Sequence, residues 1–328
     1  MERIMVKDEW RGKGFIDEPA PAGVDLAAEI RRMCKEKDAV IMAHYYTDGA
    51  VQDVADFIGD SLALARKAAQ TEAKVVVMCG VHFMAETCKL LCPDKTVLCP
   101  DLNAGCSLAD SCGAEELRKF KQEHEGYTVV SYVNTTAAVK ALTDIVVTSG
   151  NAERIIRQLP EDEKIIFGPD RHLGDYVNAV TGRRMLLWQG GCHVHGRFSA
   201  EAIRRLKAER PEAVVMAHLE CTADVLALAD VKGSTAVMLK YAEEHPEGVY
   251  IVATEAGILH EMRKRCPGTE FIPVPPAEGG ACNVCEYMKM NTLLKLYNTL
   301  KHGWPEVDVD PAIAADAVKP IKRMLELS

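Results

Sequence analysis

Short apolar runs recur along the chain in the manner of buried strands, and polar-faced segments separate them. AVIMAH at 39–44, a short run near 57–59, KVVVMC at 74–79 and TVLC at 96–99 form a first set. TVVSYV at 128–133, DIVVT at 144–148, KIIFG at 164–168 and MLLW at 185–188 form a second. AVVMAH at 213–218, a short piece near 230, VYIVAT at 249–254 and EFIPV at 270–274 form a third. The segments between them carry helical patterns. GAVQDVADF, SLALARKAAQ and HFMAETCKLL serve the first set, and TAAVKALT, NAERIIRQL and a piece near HLGDYVNAV the second. TADVLALA, STAVMLKYAEEH and ILHEMRKRC serve the third. Further helices are predicted at 24–37, within 107–124 and 198–210, over 287–301 and in PAIAADAVKPIKRMLEL. Continuous apolar strands alternating with helices predict parallel sheets covered on both faces.

The three sets are in register. Their first strands end at His44-x-Tyr46, Tyr132-x-Asn134 and His218-x-Glu220, and their second helices open at Ser61, Ser149–Gly150 and Ser234–Thr235. Each set closes on a small-residue loop and a cysteine, at Cys106, Cys192 and Cys285, spaced 86 and 93 residues apart. That period is too long for a solenoid. It predicts an α/β fold of three αβα sandwich domains related by a pseudo-threefold axis, each with a four-stranded parallel sheet, around a central active site. The expected division is an arm over 1–20 without a clear period, then domains over 21–106, 107–192 and 193–286, with the helices of 287–328 packing near the first. Open parallel sheets place ligands at the carboxyl ends of their strands, so three such units would pool their strand-end residues.

Composition narrows the function. With 328 residues and 48% hydrophobic content the chain can fill several cores, and its formal net charge of −9 excludes a nucleic-acid binder built on a basic surface. No apolar run reaches the roughly 18 residues of a membrane span, and the N-terminus lacks the apolar stretch of a signal peptide. A cytoplasmic protein is expected. Twelve cysteines are many for a reducing compartment, which points to metal or redox chemistry.

Cys34, Cys79, Cys88 and Cys266 fall in helix or strand patterns and read as small apolar fillers. Cys106, Cys192 and Cys285 follow fourth strands and are expected to converge. Three thiolates without a fourth suit an iron–sulfur cluster with one uncapped iron. A structural zinc using Cys282 and Cys285 is the alternative, with Cys282, Cys99 and Cys112 as competing ligands. The Ser and Thr positions at strand-to-helix junctions suit an anion, and equally suit helix capping. His44, Tyr46, Tyr132, Asn134, His195, His218 and Glu220 are candidates for moving protons, against the plain reading of turn-stabilising hydrogen bonds. His82, His172 and His260 carry an equally good structural reading.

With these residues in hand, the sequence resembles quinolinate synthase, the iron–sulfur enzyme of de novo NAD biosynthesis. The resemblance spans about residues 38–300 and rests on AHYYTDGAVQDVADFIGDSLALA, CGVHFMAETCKLL, PDLNAGCSLADSC, SYVNTTAAVKA, VVTSGNA, FGPDRHLG, WQGGCHVH, GST, IVATEAGILHEM and CEYMKMNTL. It implies three pseudo-threefold αβα domains around a [4Fe–4S] cluster held by Cys106, Cys192 and Cys285, with Cys282 a nearby non-ligand. It also implies condensation of iminoaspartate with dihydroxyacetone phosphate to quinolinate, phosphate and water, a transferase reaction. The open iron would act as a Lewis acid in dehydration. Substrate-handling positions carried over are His44, Tyr46, Ser61, Tyr132, Asn134, Ser149, His195, His218, Glu220 and Thr235, and Ser234 beside Thr235 is expected to bind substrate with them. The family commonly has His-Pro-Glu where this chain has His218-Leu219-Glu220. The instability of iminoaspartate makes direct transfer from an L-aspartate oxidase an expectation. The rival classes are an iron–sulfur redox protein and a binding protein with structural zinc; neither needs registered anion sites beside a His, Tyr and Glu cluster.

Overall fold

The structure, a computed structural model, describes residues 7–277, 279 and 283–328. Twelve strands are described: β1 Ala39–His44, β2 Phe57–Gly59, β3 Val75–Cys79, β4 Thr96–Leu98, β5 Thr128–Tyr132 and β6 Ile145–Val147, followed by β7 Ile165–Phe167, β8 Leu186–Leu187, β9 Val214–His218, β10 Val231–Gly233, β11 Val249–Ala253 and β12 Glu270–Pro273. They form three four-stranded sheets with orders β2-β1-β3-β4, β6-β5-β7-β8 and β10-β9-β11-β12. Every pairing is parallel. The fold is α/β, built from three αβα layers of one topology.

One aspartate recurs at the same register in all three sheets. Asp56, Asp144 and Asp230 each accept the backbone N–H of a first-strand residue (Ile41, Val129, Val215) at 2.8–2.9 Å. Each also donates its own N–H to that residue's carbonyl. This two-way clamp returns the chain to the sheet early. Helices expected over GAVQDVADF, TAAVKALT and TADVLALA therefore stop after Gly49–Gln52, Ala137–Lys140 and Ala223–Leu226. The side chain four residues before each clamp differs. Gln52 donates to the Tyr45 and Thr47 carbonyls, and Lys140, fully buried, donates to the equivalent carbonyls of Val133 and Thr135. Leu226 fills the third position with hydrocarbon.

The chain divides into two compact units, one of residues 1–106 and 286–314, the other of 107–285 and 315–328. In the first, Ile41, Ala43, Val75 and Val77 of the sheet pack with Ile30, Met33, Leu296 and Leu300 of two covering helices, Leu26–Lys37 and Leu293–His302. The helix expected over 287–301 is two pieces, Glu286–Lys289 and Leu293–His302, because Thr292 caps the second through Lys295 N–H. Residues 8–13, expected to lie in an arm without a period, form a helix whose Trp10 is buried and meets the His302 ring at 4.9 Å. Glu18 ion-pairs with Lys301 and hydrogen-bonds His302 Nε2 at 2.8 Å. The arm also holds the loop before Cys106: Leu102 N–H donates to Gly14 O at 2.9 Å and Asn103 Nδ2 to Lys13 O at 2.7 Å.

The second unit holds the other two sheets. Val129, Val139 and Ile166 centre one core, and Val215, Ala217, Ile251 and Ala253 the other. The linking helix expected within 107–124 is broken into Ser107–Asp110 and Ala114–Glu123, with Gly113 extended between them.

Candidate active site

β5 and β9 end on Tyr132 and His218, and the turn after β9 carries Glu220. His218 Nδ1 accepts the Glu220 N–H at 3.3 Å, which fixes the ring against its own strand end. The same bond recurs in the other unit, from Tyr46 N–H to His44 Nδ1 at 3.2 Å. Burial pushes the His218 pKa down to about 3, against the opposing pull of Glu220. A neutral ring accepting at Nδ1 carries its proton on Nε2, which faces Ser149 Oγ at 3.2 Å.

Glu220 is the centre of the group and is 3% exposed. Its Oε1 accepts the Tyr132 O–H at 2.5 Å, and its Oε2 lies 3.1 Å from His195 Nδ1. Burial alone would push this carboxyl up. His195 and His218 beside it, with hydrogen bonds from His195 and Tyr132, outweigh burial and hold it well below the usual range. His195 stacks on His218 with ring centres 4.5 Å apart and reaches Thr254 Oγ1 at 3.0 Å. Its Nδ1 is also 3.3 Å from Cys192 Sγ. Ligand atoms of Cys192, His195 and Glu220 all lie within 4.8 Å of one another, a donor set that one metal ion could take.

The serine turns of the two sheets meet here. A Cβ placed on Gly150 would stand 3.5 Å from Ser234 Oγ. Capping accounts for Ser234, whose Oγ accepts Val237 N–H, but not for Ser149, whose hydroxyl goes to His218. Asn151 braces that turn by accepting the Thr148 N–H at 2.6 Å. Thr235 is buried beside Ser234, and the buried Asn134 Oδ1 has no hydrogen-bond partner among the described residues, which fits an acceptor held for a ligand.

Other expected site residues lie in the first unit. His44 and Tyr46 are buried with rings 4.5 Å apart. Ser61 opens its helix, while Asp60 supplies the cap. Cys282 lies outside the described residues.

Thr254, Asp170 and Glu255 were not legible as site residues. Asp170 accepts Leu173 N–H through Oδ1 and Cys192 N–H through Oδ2, both at 2.9 Å. Glu255 repeats the device, taking Gly257 N–H at 2.6 Å and Cys285 N–H at 3.1 Å. Both carboxyls are fully buried. Burial first, then the charge of Glu220, pushes Asp170 up to about 7. The available signal was an acid just after the third strand in both repeats, in GPD and ATE.

A sequence model of the family described as "NadA: Quinolinate synthetase A protein" matches residues 28–326. The chain belongs to that family. Among its relatives, the quinolinate synthase of Rippkaea orientalis is 53% identical over 304 residues, 93% of this chain and 94% of that one. The quinolinate synthase of a Nostoc species is 52% identical over 311 residues, covering 95% and 96%. That of Synechocystis is 51% identical over 304 residues, covering 93% and 96%.

The thiols sort by exposure. Of the eleven described cysteines, Cys106, Cys192 and Cys285 are half-buried and the other eight are buried. Burial pushes Cys99 and Cys112 up to about 12, so neither is a ready thiolate. Cys106, Cys192 and Cys285 are, among the described thiols, the ones open enough to meet a group supplied from outside. No helix among the described residues is long and apolar enough to cross a membrane.

Proposed function

We propose that this protein is a quinolinate synthase serving NAD biosynthesis, condensing iminoaspartate with dihydroxyacetone phosphate to quinolinate, phosphate and water. The observation that carries the reading is the buried Glu220 carboxylate between Tyr132, His195 and His218, in a member of this family. Cys106, Cys192 and Cys285 are proposed to hold a [4Fe–4S] cluster, on their shared exposure and on the family resemblance. When bound, such a cluster supplies a Lewis acid at the iron that lacks a protein thiolate.

The chain's own groups account for the proton chemistry. Glu220, held ionised, accepts protons, while the Tyr132 O–H and the His218–Ser149 pair donate hydrogen bonds to developing negative charge. Asn134 Oδ1 accepts from a substrate N–H or O–H, and Ser149, Ser234 and Thr235 hold anionic groups at helix starts. His44, Tyr46 and Ser61 are assigned to the same substrates on the resemblance alone; the domain boundaries at 106, 192 and 286 rest on the registered repeats, and supply of iminoaspartate by an L-aspartate oxidase on the instability of that substrate.

Iron and acid-labile sulfide analysis on anaerobically purified protein, with a product assay from the two substrates, tests the reading. About four irons and four sulfides with quinolinate formed are expected. Zinc alone, seated on Cys192, His195 and Glu220, with no product, would sink it.

A further inference from the structure

A cavity of about 490 Å³ opens in the second unit beside Ser149 and Ser234 and is lined toward solvent by Arg154, Arg157 and Lys232. Arg157 is matched by Glu153 at 2.8 Å. Arg154 and Lys232 make no ion pair among the described residues. The floor of the cavity at Ser149 is one hydrogen bond from His218, and His218 Nδ1 lies 3.7 Å from Glu220 Oε1. Two uncompensated cations thus line a cavity that shares Ser149 with the group around the buried carboxylate. The chain as a whole has a formal charge of −9, so its net field opposes a dianion and only local cations offset it.

We infer that this cavity is an outer docking site for a phosphate monoester, in which Arg154 and Lys232 capture the phosphorylated three-carbon substrate before it reaches Ser149. The inference rests on the proposed reaction for the identity of that substrate. Its physical content, a phosphate-binding mouth, does not. Arg154 leads a helix face on the second sheet's side and Lys232 sits on β10 of the third, so the site uses both halves of the unit. A phosphate dianion between two such groups gains charge-assisted hydrogen bonds and loses little by desolvation at an open mouth.

The test pairs kinetics with direct binding. In an Arg154→Gln, Lys232→Gln double variant, kcat/KM for dihydroxyacetone phosphate is expected to fall roughly tenfold at low ionic strength, mostly through KM. The gap should close near 1 M salt, where charges more than about 3 Å apart are screened. Arg154→Lys should recover most of the loss, which excludes misfolding. Lys240→Gln with Lys319→Gln, exposed lysines paired with Glu244 and Asp316, removes two positive charges elsewhere and serves as control. Calorimetric titration with inorganic phosphate should show binding to the wild type, weakened about tenfold in the double variant. A double variant indistinguishable from that two-lysine control in salt dependence and phosphate binding overturns the docking site. Phosphate binding without any quinolinate formed leaves the site standing and removes the proposed reaction instead.

Discussion

The Tyr132 hydroxyl meets Glu220 Oε1 at 2.5 Å, although 88 residues separate the two in the chain. β5 and β9 thus contribute to one acid–base group. Glu220→Gln removes the charge while keeping the shape, and turnover should drop by about 10²-fold or more with iron content unchanged. Tyr132→Phe keeps the carboxylate ionised between two histidines and should cost less. Steady-state rates normalised to iron decide between them; equal effects would mean that the tyrosine, not the carboxylate, moves the proton.

Ser149 is proposed as a binding group, since its hydroxyl meets His218 and caps nothing. Ser149→Ala should raise KM several-fold with a smaller change in kcat, as loss of uniform binding does. A kcat loss matching that of Glu220→Gln would place the hydroxyl in the chemical step.

The exposure of the thiols makes a clear division. Cys106→Ala, Cys192→Ala and Cys285→Ala should each abolish visible absorbance and iron together, whereas Cys99→Ala and Cys112→Ala should retain both. Iron loss in either buried variant, with native far-ultraviolet circular dichroism, would reassign a ligand.

Glu255 ties Cys285 N–H and Gly257 N–H to one carboxylate. Glu255→Gln leaves one of those donors without an acceptor, a cost of about 1–3 kcal/mol for a buried group. The protein should remain folded but take up iron more slowly on reconstitution. Unchanged uptake and unchanged thiol reactivity would make Glu255 a support for its helix alone.

Acid stability should show two opposed terms. His218, pushed down to about 3, stays neutral in the fold while the unfolded chain protonates below about pH 6.5, so stability falls with falling pH. Asp170, pushed up to about 7, takes its proton in the fold first, so stability rises as pH falls from 7 toward 4. Each is worth at most about 1.4 kcal/mol per pH unit, and below about pH 4.3 the depressed Glu220 adds to the loss. Relative to wild type, His218→Gln should gain stability between pH 6.5 and 4.5 and Asp170→Asn should lose it. Denaturant melts across that range check both signs.

The strands were legible because a strand buried on both faces must be continuously apolar, and all twelve fall within a residue or so of the expected runs. Helix lengths were less so: Val54, Ala55 and Phe57 continue an apolar pattern past Gln52, but Asp56 takes the chain back into the sheet. Ser61, Ser149 and Ser234 look alike in sequence. Only the structure separates Ser234, a cap, from Ser149, a hydroxyl held by a histidine 69 residues away. Trp10 was set in an arm without a period because its partner, His302, lies at the far end of the chain.

Gln52 and Lys140 rivet the turns after β1 and β5 from within their own repeats, and Leu226 has no donor with which to do the same after β9. That third turn carries Glu220 and is moored instead through the Glu220 side chain, to Tyr132 and His195. Whatever protonates or discharges the carboxylate also slackens its mooring, so in this one turn reactivity and mechanical compliance draw on the same few bonds.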